Sequence, residues 1–236
     1  MKPKVILVLG CVRSGTSCLA GMLVDQGVSC CGLVDTKGKP NLTPKGSFED
    51  PRVTKFHHDM FDWFNPFEAS LPIFNQDSAN DILKSYEGKF PILLKDPKIL
   101  MVYDMWKTVL DPVCIGTFRH PTLVVDSMMR RLKHNKYYPF PKKVPGWCAM
   151  TREWAYAIWV RYNLKLIKLY EKNNFPIVNF DSPTYITDVK RAFESIGVEC
   201  KKKFSMFEEK FRHTHISTEA PPIAEVLYNA LKEKSV

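Results

Sequence analysis

From Gly10 to Ser17 the chain reads Gly-Cys-Val-Arg-Ser-Gly-Thr-Ser, which gathers the residue types that grip an oxyanion. Glycines stand at both ends of the turn, Arg13 supplies a cation, and Ser14, Thr16 and Ser17 supply hydroxyls. Before it runs an apolar stretch, Lys4 to Leu9; after it, Leu19, Met22, Leu23 and Gln26 recur at helical spacing until Gly27. That order is buried strand, glycine-bounded turn, helix. A helix start carries unpaired backbone N–H groups and about half a positive charge, so a turn wrapped onto it is an anion site. Gly10-x4-Gly15 is the spacing of a phosphate-binding loop (P-loop). Thr16-Ser17, however, stand where a nucleotide triphosphatase carries Lys-Ser or Lys-Thr, and Arg13 is the replacement charge. The alternative is a tight strand-to-helix turn that holds no ligand.

Two further segments offer cations after apolar runs. Pro91 to Leu94 ends in Lys95-Asp96-Pro97, and Val113 to Phe118 ends in Arg119-His120-Pro121, with Ser127 eight positions after Arg119. A strand-end arginine and a serine on the following helix can hold one phosphate from two sides, because the planar guanidinium donates two hydrogen bonds to an oxyanion. Taken alone, Arg119 equally caps its own strand or pairs with Asp126. Lys95 either orients an anion or salt-bridges Asp96.

These residues need elements to position them. The 236 residues, 45% apolar, suit one α/β domain with a full core. Asp50-Pro51 reads as a helix cap and start, for a helix carrying Val53, Phe56, Met60 and Phe64. Asn65 to Gly88 reads as irregular. A helix is expected from Ile99 to Leu110, another through Val125, Met128 and Leu132, and a long one from Trp147 to Asn173. Pro176 to Phe180 reads as a fourth strand, followed by helices over Tyr185–Ile196 and Ile223–Lys232. Residues 32–47 and 133–146, rich in Gly, Pro and Lys, read as two lids. Short apolar strands alternating with helices predict a three-layer α/β fold of P-loop type with a central parallel sheet. Ligands of such sheets bind beyond the strand carboxyl ends, where Arg13, Lys95 and Arg119 converge.

Together, Arg13-Ser-Gly-Thr-Ser17 and Arg119-x-Pro-x5-Ser127 resemble the sulfotransferases that use 3′-phosphoadenosine 5′-phosphosulfate (PAPS). Gly46-x-Phe-Glu49 and Lys95-Asp-Pro-Lys98 are similar to segments of that family's bacterial and Golgi-like branch, as is the stretch from Ile177 through Asp181 to Gly197. The resemblance implies in-line transfer of a sulfuryl group from PAPS to a hydroxyl or amine, leaving 3′,5′-ADP. It implies that Arg13, Ser14, Gly15, Thr16 and Ser17 hold the 5′-phosphosulfate and that Arg119 and Ser127 hold the 3′-phosphate. Arg13 would stabilise the bridging oxygen, Lys95 would orient the sulfuryl group, and Glu49 would be the general base. His57 and His58 are rivals for that last role. Arg212 matches a second 3′-phosphate contact poorly. Trp63, Phe64, Phe67 and Phe74 line an acceptor pocket or fill core.

The net charge of +9 admits a polyanionic partner, but the repeated aromatic-basic pattern of a single-strand nucleic-acid binder is missing. The expected partner is a small-molecule or glycan acceptor, with no metal. The start of the chain is too short on apolar residues for a signal peptide, and no run reaches membrane-helix length. Seven cysteines without framework spacing suit a reducing, cytoplasmic setting. Two other readings stay open: a P-loop small-molecule kinase, with Asp96 or Asp181 on magnesium, and a non-catalytic nucleotide- or anion-binding module.

Overall fold

Strand β1 (Val5–Leu9) is buried along its whole length. Val5, Leu7 and Leu9 point into one core, Ile6 and Val8 into another. This is the period-two consequence of a pleated strand covered on both faces. The computed structural model describes residues 5–30, 48–60, 74–89, 91–134 (132–134 as backbone), 151–209, 215–216 and 218–236.

In chain order β1 is followed by α1 (Thr16–Asp25), β2 (Ser29–Cys30), α2 (Pro51–Met60), α3 (Gln76–Lys84) and β3 (Ile92–Lys95). A 3₁₀ turn (Pro97–Leu100), α4 (Tyr103–Trp106), β4 (Pro112–Phe118), α5 (Pro121–His134) and α6 (Arg152–Asn173) come next, then β5 (Ile177–Asn179), α7 (Tyr185–Ser195) and α8 (Pro222–Lys234). All pairings are parallel, in the order β2-β3-β1-β4-β5, with Val5 opposite both Ile92 and Pro112. Helices α1 and α7 cover one face; α4, α5, α6 and α8 cover the other.

This order determines where a ligand fits. Helix α1 carries the chain from β1 towards the β2 edge, whereas α5 and α6 carry it from β4 to β5. The loops leaving β1 and β4, which are sheet neighbours, therefore diverge and open a crevice at their carboxyl ends.

Two local expectations change, and one strand is additional. Helix α3 lies within a stretch read as irregular: Asn75 caps it by accepting from the Ser78 N–H at 2.9 Å, but only Ala79 and Ile82 are buried, so its apolar pattern is faint. The helix expected over 99–110 is split, because Val102 leaves helical backbone at φ −109°, ψ 21°. Strand β2 is too short to show periodicity. The lid at 32–47, most of the one at 133–146, and Trp63, Phe64, Phe67 and Arg212 lie outside the described residues.

Candidate active site

The β1–α1 turn has the geometry an anion loop needs. Gly15 sits at φ 86° and precedes α1, whose first turn receives no side-chain cap. Arg13 also has left-handed backbone, φ 67°, a conformation that costs a non-glycine residue about 1–2 kcal/mol. A side chain at Gly15 would collide with the Phe180 ring, 2.2 Å from the ideal Cβ position. Ser14 turns inward: its N–H donates to the Cys11 carbonyl at 3.2 Å, its own carbonyl accepts from Thr117 Oγ1, and its side chain is fully buried. Of the residues expected to cradle a phosphate, Ser14 thus braces the loop. The N–H groups that helix geometry leaves without an intrahelical acceptor begin with Thr16 and Ser17. Behind the loop, burial pushes the Cys11 thiol pKa far up, which makes it an inert core residue.

At the end of β3 the sheet pleat separates two neighbours. Leu93 belongs to the α1-side core and Leu94 to the opposite one, so Lys95 points towards α1 and Asp96 away from it. Lys95 is 3% exposed; its Nζ donates to Ser17 Oγ at 3.0 Å and to Glu49 Oε1 at 2.5 Å, where Glu49 is 31% exposed. The Lys95–Asp96 pair does not form, because Asp96 faces the wrong way. Asp96 Oδ2 stands 3.2 Å from Nδ1 of fully buried His57, and Trp106 Nε1 donates to His57 Nε2 at 2.8 Å. That donor leaves Nδ1 as the protonated nitrogen. Burial opposes ionisation of Asp96, but His57 and Lys98 hold its pKa at about 2. His57 is therefore enclosed, while His58 is exposed.

The β4 and β5 ends meet across a buried ion pair. Arg119 Nε donates to Asp181 Oδ1 at 3.1 Å, and the His120 backbone N–H takes Oδ2 at 2.7 Å. The guanidinium lies over the Phe180 ring, 5.2 Å from its centre. Since that ring also abuts Gly15, Phe180 is wedged between the first loop and Arg119. Ser127 does not partner Arg119 here; its Oγ accepts from Arg13 Nε at 2.9 Å. Two anion pockets were expected, and the Arg13–Ser127 bond runs between them.

Loops after β1, β3, β4 and β5 thus come together at one rim. Of the carboxylates that a kinase reading assigns to magnesium, Asp181 has both oxygens on protein donors, and Asp96 has one on the Lys98 N–H and the other facing His57. Among the described residues, no group of three or more His, Cys, Asp or Glu could hold a metal.

The fold is that of a sulfotransferase. It is similar to the sulfotransferase domain from the Synechococcus PCC 7002 olefin synthase, with a TM-score of 0.52 over 98% of this chain and 93% of that one. At 15% identity the likeness is one of architecture. No known family profile and no curated protein sequence matches the chain. No helix among the described residues is long and apolar enough to cross a membrane.

Of the residues singled out from sequence, Arg13, Lys95, Glu49 and Arg119 all stand at the strand ends of this rim, whereas Phe180, the spacer between loop and arginine, was not singled out. The signal was present: an aromatic next to Asp181 at a strand end, opposite a glycine whose missing side chain leaves room for it.

Proposed function

We propose that residues 1–236 form one sulfotransferase unit that moves a sulfuryl group from PAPS to a hydroxyl or amine of a small-molecule or glycan acceptor. The observation that carries this reading is Lys95 bonded to both Ser17 and Glu49 at an uncapped helix start that directly follows the Arg13 turn, within a sulfotransferase fold. The 5′ end of such a donor fits the residues present: Gly15 leaves backbone bare, α1 offers N–H groups, and Arg13 and Lys95 bring charge. At the 3′ end, Arg119 is already aimed by Asp181 and Phe180, and Ser127 would exchange Arg13 for the phosphate.

PAPS supplies an activated sulfuryl group on a phosphate leaving group. In-line attack forms a sulfur–oxygen (or sulfur–nitrogen) bond to the acceptor and breaks the one to the leaving phosphate. Arg13 neutralises charge growing on the leaving oxygen, and Lys95 does so for the sulfuryl oxygens. Glu49 takes the acceptor proton, its carboxylate relieved of Lys95 once the lysine turns to the donor. Labelled PAPS offered with a panel of hydroxyl and amine acceptors tests this: sulfate transfer lost in Arg13→Ala and Glu49→Ala supports it. Turnover of magnesium–ATP instead would overturn it.

A further inference from the structure

The segment from Phe48 to His57 straddles the carboxyl end of β3. Phe48 packs in the α1-side core, where its ring lies 2.8 Å from any side chain added at Gly21. Val53, five residues later, belongs to the opposite core. The strand end offers each side one charged residue, because Lys95 and Asp96 point to opposite faces. Glu49 meets Lys95 on the first side and His57 meets Asp96 on the second. Between these legs, Asp50 ties the start of α2 down. Its carboxylate accepts from the Arg52 N–H at 2.8 Å and from fully buried Tyr86, whose hydroxyl makes a very short hydrogen bond.

The second leg is costly for a contact that only fills space. Trp106 meets the His57 ring edge-on and Phe56 meets it tilted, with Phe74 packed edge-on against both of them, and apolar side chains of similar volume commonly serve stability as well as a buried polar pair does. What an aspartate–histidine pair adds is a polar tie: Nδ1 and Oδ2, 3.2 Å apart, are not aligned as a hydrogen bond but have no other hydrogen-bond partner, so their attraction holds α2 against the strand end.

We propose that His57 and Asp96 are positioning residues for Glu49: they hold the far side of the saddle so that the Glu49 carboxylate is presented to Lys95 beside Ser17. This rests on the reading of Glu49 as the base. Asp96 also keeps a formal negative charge behind the lysine without competing for it, since the pleat turns it away.

Two substitutions separate the legs. Glutamine at position 57 can still accept from Trp106 but offers Asp96 no donor, whereas asparagine places an N–H where Nδ1 stood. Zero-length carbodiimide coupling of Glu49 to Lys95, quantified by peptide mass spectrometry on the full chain, reads the presented geometry directly. Lys55–Asp59 within α2, 2.6 Å apart, and Lys165–Asp104, 2.8 Å apart, serve as references. The Glu49–Lys95 yield is expected to fall by roughly threefold or more relative to both references in His57→Gln, and to stay within about twofold of the parent in His57→Asn. Equal yields in the parent and His57→Gln would overturn the proposal, as would equal losses in the two variants or a parallel fall in the references. The assay uses no donor, so it fails separately from the sulfotransferase reading, which a 3′,5′-ADP titration of the parent protein tests.

Discussion

Both halves of the rim pair a buried cation with a carboxylate, but they do so in opposite styles. On the β4–β5 side both Asp181 oxygens are occupied, one by Arg119 and one by the His120 backbone, and Arg119 and Asp181 are 8% and 12% exposed. The Phe180 ring backs the guanidinium. That pair is scaffold: it fixes an arginine in place and cannot easily let go. On the β3 side Lys95 is buried, but its partner Glu49 reaches it from a part-exposed position. That pair can open. Stability should reside in the first and chemistry in the second.

The largest separation comes from removing each carboxylate. Asp181→Ala strands a buried guanidinium and an orphaned N–H and should cost about 3–5 kcal/mol of unfolding free energy. Glu49→Ala leaves Lys95 with Ser17 Oγ as a remaining partner and opens a part-exposed position to water, so it should cost less, about 1–3 kcal/mol, while abolishing transfer. Denaturant melts alongside turnover assays read both, and equal stability losses would erase the distinction.

Arg13 sharpens it next. Arg13→Ala should lower transfer roughly 10²–10³-fold, the usual cost of deleting one charge-stabilising donor. Arg13→Gly should be equally inactive yet melt higher, because glycine takes the φ of 67° without strain. A Gly variant less stable than the Ala variant would mean that this backbone is not strained.

Gly15→Ala places a methyl group in the Phe180 ring at positive φ and should destabilise by about 2–3 kcal/mol. Adding Phe180→Ala should relieve the collision but leave the cost of the backbone. If the double variant is no better than Gly15→Ala, the ring is not the spacer.

The smallest effect is in acid. Asp96 titrates at about 2 in the folded protein, below the ~3.9 of an unfolded aspartate. The stability it contributes, about 2–3 kcal/mol by linkage, is therefore full above pH ~5 and is lost as pH falls through 2. Asp96→Asn should flatten that part of the acid limb; an unchanged slope would assign the acid sensitivity to other carboxylates.

The sequence was informative where one segment carries its own signal. The apolar run before Gly10, the glycine-bounded turn and the Asp50-Pro51 helix start are all local, and each appears as read. It was silent where the determinant is a partner far along the chain. Arg13 meets Ser127 114 residues away, and Arg119 meets Asp181 62 residues away; neither spacing announces itself. Lys95 is instructive for a different reason. Pairing it with Asp96 ignored the pleat, which turns adjacent strand residues to opposite faces. The same rule, applied to Leu93 and Leu94, would have sent Lys95 towards α1 and Asp96 towards α2. Helix α3 escaped because two buried residues make too thin a stripe to register.

A calorimetric titration with 3′,5′-ADP, run beside ATP with and without magnesium, tests the central claim most directly. The account expects 3′,5′-ADP to bind without metal, at least about tenfold tighter than ATP, and to lose that affinity in Arg13→Ala. Tighter binding of magnesium–ATP, or 3′,5′-ADP affinity untouched by loss of Arg13, would contradict it.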